Sequence, residues 1–209
     1  MYLTLRRYAD AGPRVHEAAP RIEAGLVPIL KRSPGFKGYC TFASEAGDGV
    51  SMSLFDNEGQ AARANDEART WVQSNLLDLL PDPPEVFAGP VAIQAGPGGG
   101  EPHLGDDGNQ LYVLIRKFEN ISEPDKAEQF TREISIPAQS GSPGFRGFYA
   151  AWGDPARTRA AIVVLFDTRE NADQSNERVI ALIREKGGSI VPHPTRVVAG
   201  RAVVIATAT

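Results

Sequence analysis

The sequence predicts an α+β protein built from two tandem βαββαβ repeats, residues 1–93 and 110–209, joined by a linker at 94–109. Three observations predict it. "SPGFKGYC" at 33–40 returns as "SPGFRGFY" at 142–149. Further blocks repeat in the same order: "LTLRRY" (3–8) with "VLIRKF" (113–118), "SLFD" (53–56) with "VLFD" (164–167), and "VFAG" (86–89) with "VVAG" (197–200). Between the copies, "QAGPGGGEPHLGDDGN" has the Gly, Pro and Asp content of a linker and no apolar period, so it is expected to be the most mobile internal segment.

Each element has a local reason. "YLTLRRY" and "LYVLIRKF" alternate as strands. Val15, Ala19, Ile22, Leu26 and Ile29 then form a helical stripe. Pro20 is expected to kink that helix, and Pro28 and Pro137 to mark where each first helix ends or bends. Ser-Pro-Gly makes the corner into strand two. Proline fixes φ near −65° for the first turn position, and the next position calls for the positive φ that glycine accepts. A polar turn leads to the third strand. Asp56 and Asp167 stand where an N-cap belongs, and Asp167 has Glu170 three residues on, a capping-box spacing. A second helix and a fourth strand complete each copy.

This order is the ferredoxin-like split arrangement, one antiparallel sheet with both helices on one face. Both sides of the strands are apolar, notably in "AIVVLF" (161–166), so both sheet faces call for cover. Through the element order and the "SPGF(K/R)G(Y/F)" opening of strand two, the chain resembles the dimeric α/β-barrel superfamily, in particular antibiotic-biosynthesis-monooxygenase-like (ABM) domains. The resemblance spans both copies and omits the linker. It implies two sheets packed as a pseudo-dimeric α/β barrel within one chain. It also implies the functions found on such barrels: cofactor-independent oxidation of phenolic or quinone-type molecules, haem breakdown, or binding without chemistry. Haem-degrading relatives use a histidine on the second helix, and neither second helix here has one. No cofactor is therefore expected.

Bulk properties narrow the class. The chain has 209 residues, 42% hydrophobic and 23% charged, with a formal charge of −4 and one cysteine, Cys40. An acidic balance lacks the basic footprint of a nucleic-acid binder. A lone thiol forms no internal disulfide and fits a reducing compartment. Arginines sit where a signal peptide needs an apolar run, and no stretch approaches a membrane span, so a cytoplasmic, soluble protein is expected. The histidines His16, His103 and His193 have no metal-ligand spacing. No nucleophile elbow, P-loop or Rossmann fingerprint is present.

The candidate ligand-binding residues are Arg6, Asn65, Trp71, Arg116, Tyr149, Trp152 and Asn176. Arg6 and Arg116 share one strand-one position, where a guanidinium could face a phenolate or carboxylate, or snorkel to water. Asn65 and Asn176 lie on the apolar stripes of the second helices. A buried amide there holds either a substrate oxygen or a strand end. Trp71, Tyr149 and Trp152 have no aromatic counterparts in the other copy, so they either flank a pocket for a flat ligand or fill a core. By period two, Tyr149 falls on the Phe145–Gly147 side of its strand and Trp152 on the Phe148 side. The favoured function is binding of a small aromatic or amphipathic molecule, coupled to cofactor-independent oxygenation with Arg116, Asn176, Tyr149 and Trp152 as the active set. The alternative is a non-catalytic structural or interaction module. A homodimer of the two-repeat chain is compatible with either.

Overall fold

The computed structural model describes residues 1–105, 110–187 and 190–208. Alternating side chains make β1 (Tyr2–Tyr8), which turns Leu3 and Leu5 to one side and Thr4, Arg6 and Tyr8 to the other. After it come α1 (Gly12–Arg21), α2 (Val27–Arg32), β2 (Phe36–Ala43), β3 (Gly49–Phe55), α3 (Glu58–Asn75) and β4 (Glu85–Ala95). The second run is β5 (Tyr112–Phe118), α4 (Pro124–Phe130), α5 (Ile136–Ser140), β6 (Phe145–Trp152), β7 (Ala160–Phe166), α6 (Arg169–Leu182) and β8 (Arg196–Thr207). Both runs therefore read βαββαβ, with the first helix of each broken in two.

The chain divides into two compact units. Unit 1 comprises the described residues of Met1–Pro90, Leu104–Asn109 and Gly200–Thr209; unit 2 comprises those of Val91–His103 and Gln110–Ala199. In unit 1 the strands pair antiparallel in the order β4, β1, β3, β2 and the later part of β8. In unit 2, β5 pairs with β7, β7 with β6, and β6 with Val91–Ala95 of β4, again antiparallel. Leu3, Leu5, Met52, Leu54, Cys40 and Phe42 fill one face of the first sheet at 5% exposure or less.

Both broken helices have the same cause. Pro28 and Pro137 lack an N–H, and a proline ring clashes with the carbonyl four residues back. The turn just ahead widens to accommodate it. Val27 N–H bonds Ile22 O and Ile136 N–H bonds Thr131 O, each five residues back, so Ile22–Leu26 and Thr131–Ser135 are π-helical turns. Pro20 lies within α1, immediately before the first of these turns.

The glycine corner forms as its chemistry requires. Gly35 and Gly144 have φ of 73° and 67°. Phe36 N–H donates to Ser33 O, and Phe145 N–H to Ser142 O, at 3.3 Å each. The corner delivers Phe36 edge-on to Phe55 at 5.7 Å between ring centroids, and Phe145 to Phe166 at 5.9 Å. A register shift between Phe145 and Gly147 follows. It puts Phe145 in the cluster that holds Phe148, Val164 and Phe166, so Tyr149 does not share its face, contrary to strict period-two counting.

Three other expectations need correction. The helix caps are Asn57 and Thr168, whose side chains accept from the N–H groups of Gln60 at 3.0 Å and Asn171 at 3.2 Å. Asp56 and Asp167 sit one residue earlier, where their own N–H groups bond the corner carbonyls of Gly35 and Gly144 at 2.9 Å. Gln94 and Ala95, read as linker, extend β4 opposite Tyr149 and Phe148. The segment read as lacking apolar anchors has one in Leu104, which is 3% exposed and packs where Gly38 offers no Cβ. Residues 106–109 of the expected linker lie outside the described residues. Among the described residues, no helix is long and apolar enough to cross a membrane.

Candidate functional site

Unit 1 contains a cavity of about 650 Å³ between its sheet and its helices. That is within the range of pockets that enclose a drug-sized molecule. Much of its wall is aliphatic, with Asp66, Arg69, Gln73 and Asp82 also lining it. Val15, Ile22, Leu26 and Leu30 come from the first helical segment, and Val72 and Leu76 from α3 and its end. Leu77 and Val86 also border it, at 58% and 52% exposure, so it has an apolar side open to solvent.

The floor is polar, and strand register explains why. Directly opposed residues of paired strands point to the same face. Across β1, β3 and β2 the rows read Thr4, Ser53, Tyr39 and then Arg6, Ser51, Thr41. Thr4 Oγ1 accepts from Asn65 Nδ2 of α3 at 3.2 Å, which identifies this as the helix-facing side. Arg6 donates to Asn65 Oδ1 at 2.5 Å. Asn65 is thereby fixed at both ends, and the guanidinium is left with further donors on the cavity wall.

Electrostatically, Arg6 is a cation facing an apolar space. Burial pushes its pKa down, opposed by the nearby phenols of Tyr8 and Tyr39. Among the described residues, no carboxylate forms an ion pair with it. Burial likewise raises the pKa values of Tyr8 and Tyr39, so both phenols are neutral donors at neutral pH. The arrangement offers the half-buried Arg6 guanidinium and several hydroxyls to a largely hydrophobic guest. Among the described residues, no three His, Cys, Asp or Glu side chains stand together where they could hold a metal ion.

Unit 2 repeats the polar pair among bulkier apolar side chains. Arg116 donates to Asn176 Oδ1 from the same strand and helix positions. It is 8% exposed, and burial lowers its pKa to about 10. The rows beside it are apolar: Leu114, Val164 and Phe148, then Arg116, Ile162 and Ala150. The cavity described in this unit has about 50 Å³. Trp152 borders it and carries the Arg157 guanidinium 5.6 Å from its ring centroid. Arg116, Tyr149 and Asn176 do not border it.

The seven candidates therefore separate. Arg6 and Asn65 meet on the large cavity, Arg116 and Asn176 meet in a filled core, and Trp152 bounds the small cavity. Tyr149 is 3% exposed on the other face of its sheet. Trp71 packs outside the large cavity on the π-helical turn; a Cβ on Gly25 would fall 2.4 Å from its ring. The reading missed Tyr8, Tyr39, Thr41, Ser51 and Ser53. Their signal was "SMS" at 51–53 against "IVV" at 162–164, which puts two hydroxyls on one face of an otherwise apolar strand.

No protein-family model matches the chain, and no curated protein sequence matches it. Solved structures do share its fold. A proposed monooxygenase of Fusobacterium nucleatum superposes with a TM-score of 0.71 at 9% identity, over 99% of this chain and 94% of that one. An anthrone oxidase-like protein gives 0.62 at 13% identity, over 99% and 93%. A chlorite dismutase variant of Candidatus Nitrospira defluvii gives 0.58 at 9% identity, over 96% and 90%. These neighbours share the fold of this chain. Their names differ in chemistry, so the fold does not select a reaction.

Proposed function

We propose that the unit 1 cavity binds a small aromatic or amphipathic molecule, and that binding serves cofactor-independent monooxygenation of a phenol- or quinone-type substrate. The observation that carries this is the aliphatic cavity of about 650 Å³ with the Arg6–Asn65 pair on its floor. Arg6 stabilises the substrate's own anion electrostatically, and Asn65 orients the guanidinium. The aliphatic part of the wall lowers the local dielectric around the bound pair, which strengthens the charge interaction. A ring carbon of the electron-rich phenolate then reduces O₂ to a bound hydroperoxide, which loses water to leave a carbonyl, so one oxygen atom enters the product and the other leaves as water. The names of two fold neighbours, an anthrone oxidase-like protein and a proposed monooxygenase, support this class of reaction. This moves the active set from Arg116, Asn176, Tyr149 and Trp152 to unit 1.

The same proposal includes a tandem duplication of ferredoxin-like, ABM-type repeats at 1–93 and 110–209. The shared Arg–Asn pair, glycine corner and π-helical turn support it. The filled core of unit 2 favours a second reading for that half alone, a non-catalytic structural module.

The test is a thermal-shift screen of phenols, naphthols and quinones, with O₂ uptake measured on every hit. At least one hit is expected to raise the melting temperature and consume O₂, and Arg6→Met is expected to abolish uptake. Hits without O₂ uptake reduce the protein to a binding module. No hit at all overturns the pocket reading.

A further inference from the structure

A buried hydroxyl on the floor of the unit 1 cavity has no partner. Ser53 is 1% exposed, and its Oγ has no hydrogen-bond partner. A buried hydroxyl left unpaired destabilises the fold. Ser53 lies opposite Thr4 and Tyr39 in the ladders and borders the cavity with Tyr39. Opposed residues share a face, so its hydroxyl is turned to the same side as Thr4, the side that meets Asn65. The equivalent position in unit 2, opposite Leu114 and Phe148, is Val164. Val164 is fully buried where no comparable cavity is described. Ser175 Oγ is also buried and unpaired, but it borders neither cavity. Ser53 thus combines an unmet hydrogen-bonding capacity with a place at the buried edge of the cavity.

We propose that Ser53 is a specificity-determining residue that hydrogen-bonds a second oxygen of the ligand. The inference rests on the binding reading above and narrows its substrate class. The guest carries one anionic oxygen for Arg6 and a separate hydroxyl or carbonyl for Ser53, on an otherwise apolar body. Arg6 and Ser53 come from neighbouring rows of the floor, so the ligand presents one oxygen to each. A site built to bond a substrate oxygen discriminates strongly against an analogue that lacks it. An apolar guest of the same shape leaves Ser53 unsatisfied.

The experiment uses the full chain and fluorescent probes of fixed geometry: 2-naphthoate and its 3-, 5-, 6- and 7-hydroxy derivatives. Affinities are measured by titration for the wild type, Ser53→Ala, Ser53→Val and the control Ser175→Ala. The wild type is expected to bind at least one hydroxynaphthoate about tenfold more tightly than 2-naphthoate. Ser53→Ala and Ser53→Val are expected to erase that advantage and leave 2-naphthoate within about twofold, and Ser175→Ala to change neither. If every naphthoate binds and Ser53→Ala weakens none of the hydroxylated ones selectively, this proposal fails and the pocket reading stands. If none binds the wild type, both fail together.

Discussion

Unit 1 and unit 2 differ by what fills one sheet face, not by what shapes the backbone. Both have a positive-φ glycine after Ser-Pro, an edge-on phenylalanine pair, a π-helical turn ahead of a proline, and an arginine bonded to an asparagine on the long helix. In unit 1 the face turned to the helices carries Thr41, Ser51 and Ser53; in unit 2 the same places hold Ala150, Ile162 and Val164. On the long helices, Ala68 faces the cavity and Val179 is the buried counterpart. A cavity of about 650 Å³ borders the Arg–Asn pair in unit 1, whereas the cavity of about 50 Å³ in unit 2 borders neither Arg116 nor Asn176. The devices that aim the chain are thus separable from the side chains that leave or occupy space. A binding site can be opened or closed on an unchanged skeleton.

The strongest way to break this comparison is to give unit 1 the side chains of unit 2. Ser51→Ile, Ser53→Val and Ala68→Val together are expected to lower the affinity of any unit 1 ligand at least ~100-fold by occupying its space. The melting temperature is expected to hold or rise, because an unpaired hydroxyl is removed and apolar packing is added. Calorimetric titration beside a thermal melt reads both. Retained affinity in a folded variant would place binding outside the cavity.

Next in size is the Arg–Asn pair. Asn176→Ala leaves Arg116 charged and 8% exposed without its amide acceptor, and is expected to cost about 2 kcal/mol. Asn65→Ala is expected to cost about 1 kcal/mol, since Arg6 borders an open cavity and can take water instead. Urea denaturation measures the difference. Equal losses would mean that the cavity does not change the arginine's environment.

The corner gives a smaller contrast. Valine at Gly35 or Gly144 meets the cost of a positive φ, about 1 kcal/mol. A Cβ at Gly144 also falls 1.8 Å from Asp167 Oδ1, which accepts from Asn171 Nδ2 at 2.8 Å. At Gly35 the clash is with Gln60 Oε1, which has no hydrogen bond to lose. Gly144→Val is therefore expected to destabilise more, by about 1.5 kcal/mol against about 1. Neither is expected to alter ligand affinity in the folded protein, and a selective loss of binding would make the corner part of the site.

These contrasts also show why the skeleton was easier to read than the site. Strand alternation, proline positions and Ser-Pro-Gly are local, and each has one dominant conformational consequence. Element order and the glycine φ values follow from them directly. The caps at Asn57 and Thr168 were missed by one residue, because the preceding aspartates already had tertiary partners in Gly35 and Gly144. The cavity was harder still. Unmatched aromatics drew attention to Tyr149 and Trp152, but a pocket depends on missing volume. Ser51, Ser53 and Ala68 are small, come from two distant elements, and mean nothing until register and packing set them side by side.

Cys40 offers the finest test of where a ligand sits. It is the chain's one cysteine, in β2 of unit 1, and is fully buried. Burial raises its thiol pKa to about 12, and only the exposed thiolate reacts quickly with a disulfide reagent. Native protein at pH 8 should therefore label through transient opening, at a rate set by the open population. A ligand bound only to the closed form reduces that population by one plus its concentration divided by Kd. At three times Kd, labelling with Ellman's reagent should slow about fourfold. The triply filled variant should label at one rate with or without ligand, because its narrowed cavity no longer binds the ligand at that concentration. If the wild type labels unchanged at a concentration where titration shows binding, the ligand does not stabilise unit 1. The contrast between an open and a filled half would then lose its functional meaning.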